Sequence, residues 1–180
     1  MLSFHNDPAI KAKYLARVKA HAEADNLIRG TGWEHGRGCA VGCTLEAYDH
    51  SRYPVELGLP EWIAHLEDTL FEGMPDEQAM TWPMRFLEAI PVGVDVEPVK
   101  WQLAIWRHTR QVEALALNDE PYAMQCRNAI NQVIAYCNDM LAGNGGSAAA
   151  RSAARSAAAR SAAHLGESEM LITLIKGLKS

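Results

Sequence analysis

The chain has 180 residues, of which 48% are hydrophobic and 22% are charged, and its net charge is −5. This composition excludes a disordered chain and fits one domain, or one domain with an appendage. No apolar run approaches the ~18 residues of a membrane-spanning helix, so we predict no membrane association. The N-terminus has no secretory-signal pattern and the four cysteines are too few for a disulfide scaffold, which predicts a cytoplasmic protein. The negative charge disfavours a nucleic-acid partner.

Signals for α-helices recur along the chain, whereas signals for strands are almost absent. The first predicted helix begins at Pro8, after a cap at Asn6 or Asp7, and its apolar repeat ends at Gly30. A loop with four glycines, a short helix and a polar connection are then predicted at 29–38, 39–47 and 48–59. Proline signals predict further helices over 61–72, 83–90 and 98–117, and from Pro121 after a cap at Asp119. Only residues 91–96 alternate like a strand, and they are too few to form a sheet.

The C-terminal segment has a different composition. Residues 143–146 read as a glycine-rich linker, and 147–164 repeat serine, alanine and arginine, which predicts an alanine-rich helix capped by Ser147. Gly166 is expected to interrupt this helix before a short amphipathic segment. The prediction is therefore an all-α fold with a core of about six helices over 1–142, a linker, and two further helices within 147–180. The alanine face would allow close packing against a partner helix, so we also predict a homo-oligomer formed through 147–180, with a solvated helix as the alternative.

The residues that could bind a ligand are concentrated between Arg29 and Tyr53. Glycines let the backbone approach a ligand, and N–H groups at the start of the helix predicted from Cys39 would attract an anion. The Arg37 guanidinium would add donors for phosphate or carboxylate, and nearby aromatic rings offer flat surfaces. An anionic, nucleotide-like ligand is therefore predicted, and a tight loop whose tryptophan lies in the core is the alternative. The predicted ligand-binding residues are Trp33, His35, Gly36, Arg37, Gly38, His50, Arg52 and Tyr53.

A zinc site is the alternative chemistry at the same place. His35, Cys39 and Cys43 follow one another at four-residue spacings, and His50 would be a fourth ligand. Glycines on either side of Arg37 disfavour one continuous helix through His35, and both cysteines also fit a buried small-residue face. We therefore predict no metal and no cofactor, and leave zinc binding open.

No complete catalytic signature is present, so we predict a protein without enzymatic activity. His50 and a cysteine could be drawn as a base and a nucleophile, but their spacing does not require it. Four acidic residues of the helix predicted at 61–72 could pair for acid–base chemistry, although a solvated helix face explains them better. They are Glu61, Glu67, Asp68 and Glu72.

Several blocks of this sequence resemble uncharacterised small proteins of bacteria and their phages. The resemblance spans most of residues 1–100 and includes the Ala/Ser-rich tail. It implies no established activity, and it suggests by analogy a phage-type antagonist of host defence that binds a host protein or sequesters a nucleotide signal. The blocks are Trp33–Leu45, Asp49–Tyr53, Leu59–Ile63, Leu66–Asp68, Trp82-Pro83, Arg85–Leu87 and Ala89–Pro91.

Two functions remain as expectations. The first is a non-catalytic binding protein that captures an anionic small molecule at the loop around Arg37. The alternative is an interaction or inhibitor module, similar to an immunity protein, that binds a host protein through its acidic body or its alanine-rich helix. Residues 147–180 carry five basic and two acidic side chains, so the rest of the chain has a net charge of −8.

Overall fold

The structure, a computed structural model, describes residues 1–116, 120–145 and 164–178, without the side chains of 164–169. Over these residues the chain forms nine α-helices, two short 3-10 helices and one antiparallel pair of strands, which confirms the predicted all-α class. Within the same ranges no helix has the length and apolar character that crossing a membrane requires. The predicted division into 1–142, 143–146 and 147–180 stays a prediction.

The helices and strands follow one another in chain order. The first part of the chain contains α1 (Pro8–Glu23), β1 (Trp33–Glu34), β2 (Arg37–Gly38), α2 (Ala40–Leu45), α3 (Tyr53–Leu57), α4 (Glu61–Gly73), α5 (Asp76–Ala79) and α6 (Trp82–Ala89). Two long helices follow, α7 (Glu97–Leu115) and α8 (Pro121–Leu141). The last helix is α9 (His164–Lys176), and the 3-10 helices are Ser3–Asn6 and His50–Arg52.

The predicted start of α1 is confirmed in detail. Asp7 caps this helix, because its side chain accepts a hydrogen bond from the Ala9 N–H at 2.8 Å. The helix ends at Glu23, earlier than the apolar repeat predicts. The chain turns there because Asp25 adopts a φ of 54°, and left-handed backbone ends a helix.

Other boundaries differ from the sequence prediction. The glycine-rich loop contains β1 and β2, and the connection at 48–59 contains a 3-10 helix and α3. Residues 91–96 form no strand; instead the Ser3 N–H donates to the Val94 carbonyl at 2.9 Å. Gly166 lies inside α9 rather than interrupting a helix. The predicted cap at Asp119 and nearly all of the alanine-rich helix fall outside the described residues.

The described residues form two units, each with its own internal contacts. The first comprises Met1–Val96 and His164–Ser180, and α4 lies at its centre, in contact with α2, α6 and α9. Burial of apolar side chains is the main force that holds such a unit together. Its fully buried large side chains include Phe4, Tyr14, Tyr53, Leu70, Phe71, Trp82 and Phe86.

In the second unit, Glu97–Ala163, the described residues form two helices, α7 and α8. Helices α7 and α8 contact each other along their length. The Trp101 ring meets the Tyr136 ring edge-on at a centroid distance of 5.7 Å. The Arg127 guanidinium donates to the Leu115 carbonyl at 2.6 Å, which satisfies an acceptor at the C-terminal end of α7.

Candidate functional site

The strands β1 and β2 form a tight hairpin within the glycine-rich segment. The two residues that join the strands, His35 and Gly36, have φ angles of 50° and 79°. A two-residue type I′ turn requires positive φ at both positions, and glycine adopts such angles without strain. The His35 side chain is 90% exposed at this turn. Gly36 therefore serves the backbone geometry of the hairpin.

The register of the hairpin separates two side chains that the sequence analysis placed in one site. Trp33 pairs with Gly38, and Glu34 pairs with Arg37. Cross-strand partners share a face and successive residues alternate between faces, so Trp33 and Arg37 lie on opposite faces of the hairpin. The partly buried Trp33 ring meets the His21 ring edge-on at 5.3 Å.

The backbone N–H groups that follow the turn donate within the chain. The Gly38 N–H donates to the Asn26 carbonyl at 3.0 Å. The Cys39 N–H donates to the Thr31 carbonyl at 2.8 Å, and the Gly42 N–H donates to the Cys39 Sγ at 3.4 Å. These three amides therefore already have acceptors inside the chain and are not available to an anion.

Three further glycines allow close backbone packing beneath the hairpin. A Cβ atom at Gly42 would lie 1.8 Å from the Gly32 carbonyl oxygen, and one at Gly38 would lie 2.2 Å from the same oxygen. A Cβ atom at Gly32 would lie 2.4 Å from the Tyr48 ring. Contacts inside the chain therefore require these glycines, as expected for the tight loop considered above.

A second polar group forms where residues 48–50 meet α4. The Tyr48 hydroxyl donates to Asp68 Oδ2 at 2.9 Å, and His50 Nε2 lies 3.4 Å from the same oxygen. The His50 ring also stacks on the His65 ring at a centroid distance of 4.1 Å. The side chains of His50 and Asp68 are only 12% and 14% exposed, whereas Tyr48 is exposed. The group therefore runs from the interior to the surface.

Two more side chains complete this group. Cys39 Sγ and one carboxylate oxygen each of Asp68 and Glu72 lie within 4.8 Å of one another. Asp68 and Glu72 are one turn apart on α4, and α2, which begins directly after Cys39, contacts α4. The Glu72 carboxylate accepts from the Gly30 N–H at 2.9 and 3.1 Å. The name α4 cluster is used below for Cys39, Tyr48, His50, Asp68 and Glu72.

The α4 cluster contains buried polar atoms that lack hydrogen bonds. Asp68 Oδ1 and His50 Nε2 are both buried without a hydrogen-bond partner. Such atoms are rare in folded proteins and cost roughly 1 to 3 kcal/mol each. Among the described residues, no lysine or arginine forms an ion pair with Asp68 or Glu72. Two carboxylates therefore lie close together without an ion pair to a lysine or arginine side chain.

The local environment keeps the thiols of Cys39 and Cys43 and the hydroxyl of Tyr48 protonated at neutral pH. Burial, and then the hydrogen bond that the thiol donates to the Asp68 carboxylate, raise the pKa of Cys39 well above its usual range. Burial raises the pKa of Cys43 to about 11. The hydrogen bond to Asp68, followed by burial, raises the pKa of Tyr48 to about 12. Both cysteines are thus neutral thiols, which are poor nucleophiles.

Two predicted site residues belong to neither the hairpin nor the α4 cluster. Arg52 Nε donates to Glu56 Oε1 at 2.5 Å. Tyr53 is fully buried, and its hydroxyl donates to Glu67 Oε2 at 2.5 Å. The structure thus places His50 in the α4 cluster, and the remaining predicted residues in the hairpin are Trp33, His35, Gly36, Arg37 and Gly38.

Of the four zinc ligands considered from the sequence, the structure places Cys39 and His50 in the α4 cluster and keeps His35 and Cys43 apart from it. Cys43 Sγ donates to the Gly38 carbonyl at 3.3 Å. His35 is 90% exposed at the hairpin turn, whereas Cys39 is 1% exposed. Because a helix does not run through these residues, their four-residue spacing does not place them on one face. The residues that share space with Cys39 are Asp68 and Glu72.

Sequence reasoning missed the importance of α4. Glu67 was expected on a solvated face, yet it is fully buried. The sequence spacing indicates this burial, because Ile63, Leu70 and Phe71 lie three or four positions away on the same helical face. Asp68 and Glu72 share another face at a four-residue spacing, but nothing local indicates that Cys39, 29 positions before Asp68, meets them.

Comparisons of this chain with protein-family models, with curated proteins and with solved structures gave no match. The resemblance to small proteins of bacteria and phages therefore stays a prediction. The function must be argued from the geometry of the site itself.

Proposed function

We propose that this protein is a non-catalytic binding protein whose ligand is a cation held at the α4 cluster. The observation that carries the proposal is the pairing of two acidic side chains, Asp68 and Glu72, with buried polar atoms that lack partners. A bound cation would neutralise the carboxylates and satisfy Asp68 Oδ1. The raised thiol pKa of Cys39 argues against nucleophilic catalysis by this sulfur.

Limited access to the Asp68 carboxylate favours a small cation over a large one. The Asp68 side chain is only 14% exposed, so a bulky ligand would reach little of it. Exposed Tyr48 and half-buried Glu72 mark the side of the cluster that opens to solvent. An inorganic cation entering from that side would exchange water for carboxylate oxygens, which are ligands that divalent ions prefer.

Thermal unfolding of the full chain with Mg²⁺, Ca²⁺, Mn²⁺ or Zn²⁺ tests this proposal. A cation at about one hundred times its Kd should stabilise the protein by about 2.7 kcal/mol. For a chain of this size that is roughly a 5 to 10 °C rise in Tm. The double variant Asp68→Asn/Glu72→Gln should lose this rise, while Glu61→Gln/Glu77→Gln, two exposed positions on α4 and α5, should keep it. A Tm that no divalent cation raises would rule the proposal out.

A second candidate function is capture of an anionic, nucleotide-like ligand at the hairpin. What favours it is the exposed Arg37 guanidinium, which donates to the Asp25 carbonyl at 3.2 Å and pairs with no carboxylate among the described residues. With the amides already occupied, Arg37 and His35 would supply the recognition. Phage-type antagonism of host defence in the cytoplasm belongs to this candidate, in keeping with four cysteines that form no disulfide.

Nucleoside phosphates and cyclic dinucleotides, added in the same unfolding assay, separate the two candidates. A Tm rise that Arg37→Ala abolishes and Asp68→Asn/Glu72→Gln preserves would support the anion site. Arg110→Ala removes an exposed arginine of α7 and serves as the matched control. If no phosphate compound raises the Tm, the hairpin candidate is excluded.

A further inference from the structure

We propose that the α4 cluster is a zinc-type site in which Cys39 binds the metal through sulfur, together with Asp68, Glu72 and His50. This inference rests on the proposed function, because it names the class of cation that the cluster binds. Two carboxylates alone would suit Mg²⁺ or Ca²⁺, which take oxygen ligands. A sulfur atom among the ligands changes that preference toward borderline transition metals.

The positions of the three nearest ligand atoms carry the argument. Cys39 Sγ and the carboxylate oxygens of Asp68 and Glu72 all lie within 4.8 Å of one another. Zinc binds sulfur at about 2.3 Å and oxygen at about 2.0 to 2.2 Å, so ligand atoms around one ion lie roughly 3 to 4 Å apart. Small side-chain movements would therefore bring all three atoms onto a single ion.

The fourth ligand is assigned to His50, which contacts Asp68 but does not belong to the set of three atoms that lie within 4.8 Å of one another. Its Nε2 atom is buried, has no hydrogen-bond partner and lies 3.4 Å from Asp68 Oδ2. The ring is held between His65, which stacks on it at 4.1 Å, and Tyr48, which meets it edge-on at 4.9 Å. A ring held in this way loses little conformational entropy when a metal binds.

Metal binding at Cys39 includes the release of one proton. The S–H bond breaks, the proton passes to solvent, and the sulfur lone pair forms the bond to the metal ion, which remains divalent throughout. Burial of Cys39 opposes a free thiolate, but a divalent cation stabilises the anion directly.

Titration of the metal-free full chain with Co²⁺ tests this assignment, because a thiolate bound to Co²⁺ gives a charge-transfer absorption in the near ultraviolet. We expect one equivalent to bind, with that absorption, and zinc to displace it. Cys39→Ala should abolish the absorption and Cys43→Ala should keep it. Zinc affinity should fall at least about tenfold in His50→Ala and stay unchanged in His35→Ala. Far-ultraviolet circular dichroism checks that each variant folds, and Cys39→Ser replaces Cys39→Ala if the alanine variant does not.

The outcomes distinguish this inference from the function on which it rests. Bound Co²⁺ without the charge-transfer absorption, or an absorption that survives in Cys39→Ala, would overturn the thiolate site and leave oxygen-ligated cation binding intact. Loss of the absorption in Cys43→Ala but not in Cys39→Ala would also overturn it. Failure to bind any divalent cation would remove both proposals together.

Discussion

The Glu67 carboxyl group lies in the core of the first unit, with no exposed surface. Its Oε2 atom accepts from the Tyr53 hydroxyl, whereas Oε1 has no hydrogen-bond partner. Burial raises the pKa of Glu67 to about 8, with a smaller contribution from the neighbouring Asp68. The folded protein therefore holds a proton that the unfolded chain, with a pKa of 4.5, releases near pH 5.

This difference predicts that the free energy of unfolding falls as pH rises. Between the unfolded and folded pKa values the native state binds more protons, so the part of the stability that depends on Glu67 is complete below pH 4.5 and is lost as the pH rises to about 8. From about pH 5.5 to about pH 8.5 the loss attributable to Glu67 should be about 3 kcal/mol. In Glu67→Gln this part of the pH dependence should vanish, because the amide does not titrate and still accepts from Tyr53. Urea unfolding at both pH values measures the change.

The exposed Glu61→Gln variant is the control for the Glu67 experiment. Glu61 lies on the same helix, and its side chain is 53% exposed, so this variant removes one carboxylate of α4 outside the core. The part of the slope that depends on Glu67 should remain in it. A wild-type slope in Glu67→Gln would show that another group is responsible.

At the scale of elements, the position of α2 depends on glycines at its contacts with the hairpin, because a side chain there would collide with the backbone. Gly42 and Gly38 both face the Gly32 carbonyl oxygen, and Gly32 in turn lies against the Tyr48 ring. This stacking brings α2 and the hairpin together, and it places Cys39 beside α4. The glycines that suggested ligand approach in the sequence thus bring the backbone close to itself.

A Gly42→Ala substitution should destabilise the protein more than Gly36→Ala. The added Cβ atom at Gly42 would lie 1.8 Å from a backbone oxygen, and such overpacking costs about 1 to 3 kcal/mol or more. Gly36 has open space around it, so alanine there costs only about 1 kcal/mol of backbone strain. Thermal unfolding compares them, and equal losses in Tm would contradict the steric argument.

At the scale of the whole molecule, the last helix of the chain belongs to the first unit, although the second unit comes between them in the sequence. Helix α9 contacts α4 and α6, and its Leu171, Ile172 and Ile175 side chains are buried. Removal of all of 147–180 would therefore damage the first unit as well as the alanine-rich segment. The predicted oligomer needs a test that keeps α9.

Replacement of residues 147–163 by a Gly/Ser linker of equal length provides that test. If the alanine face joins copies of the chain, light scattering should show a lower mass for this variant than for the wild type, at equal concentration. Gly/Ser chains are flexible and offer no such helical face. An unchanged mass, with an unchanged Tm, would exclude the segment as the interface.

The sequence alone determined the all-α class, the start of α1 at Asp7-Pro8 and the position of α4, because capping and a 3.6-residue apolar period are local signals. It also predicted a ligand-binding site within residues 29–53. Tertiary structure decided which of those residues meet: strand pairing put Trp33 and Arg37 on opposite faces, and close packing of α2 joined Cys39 to Asp68 and Glu72. Register and helix packing depend on contacts between distant positions, and no spacing along the chain records them.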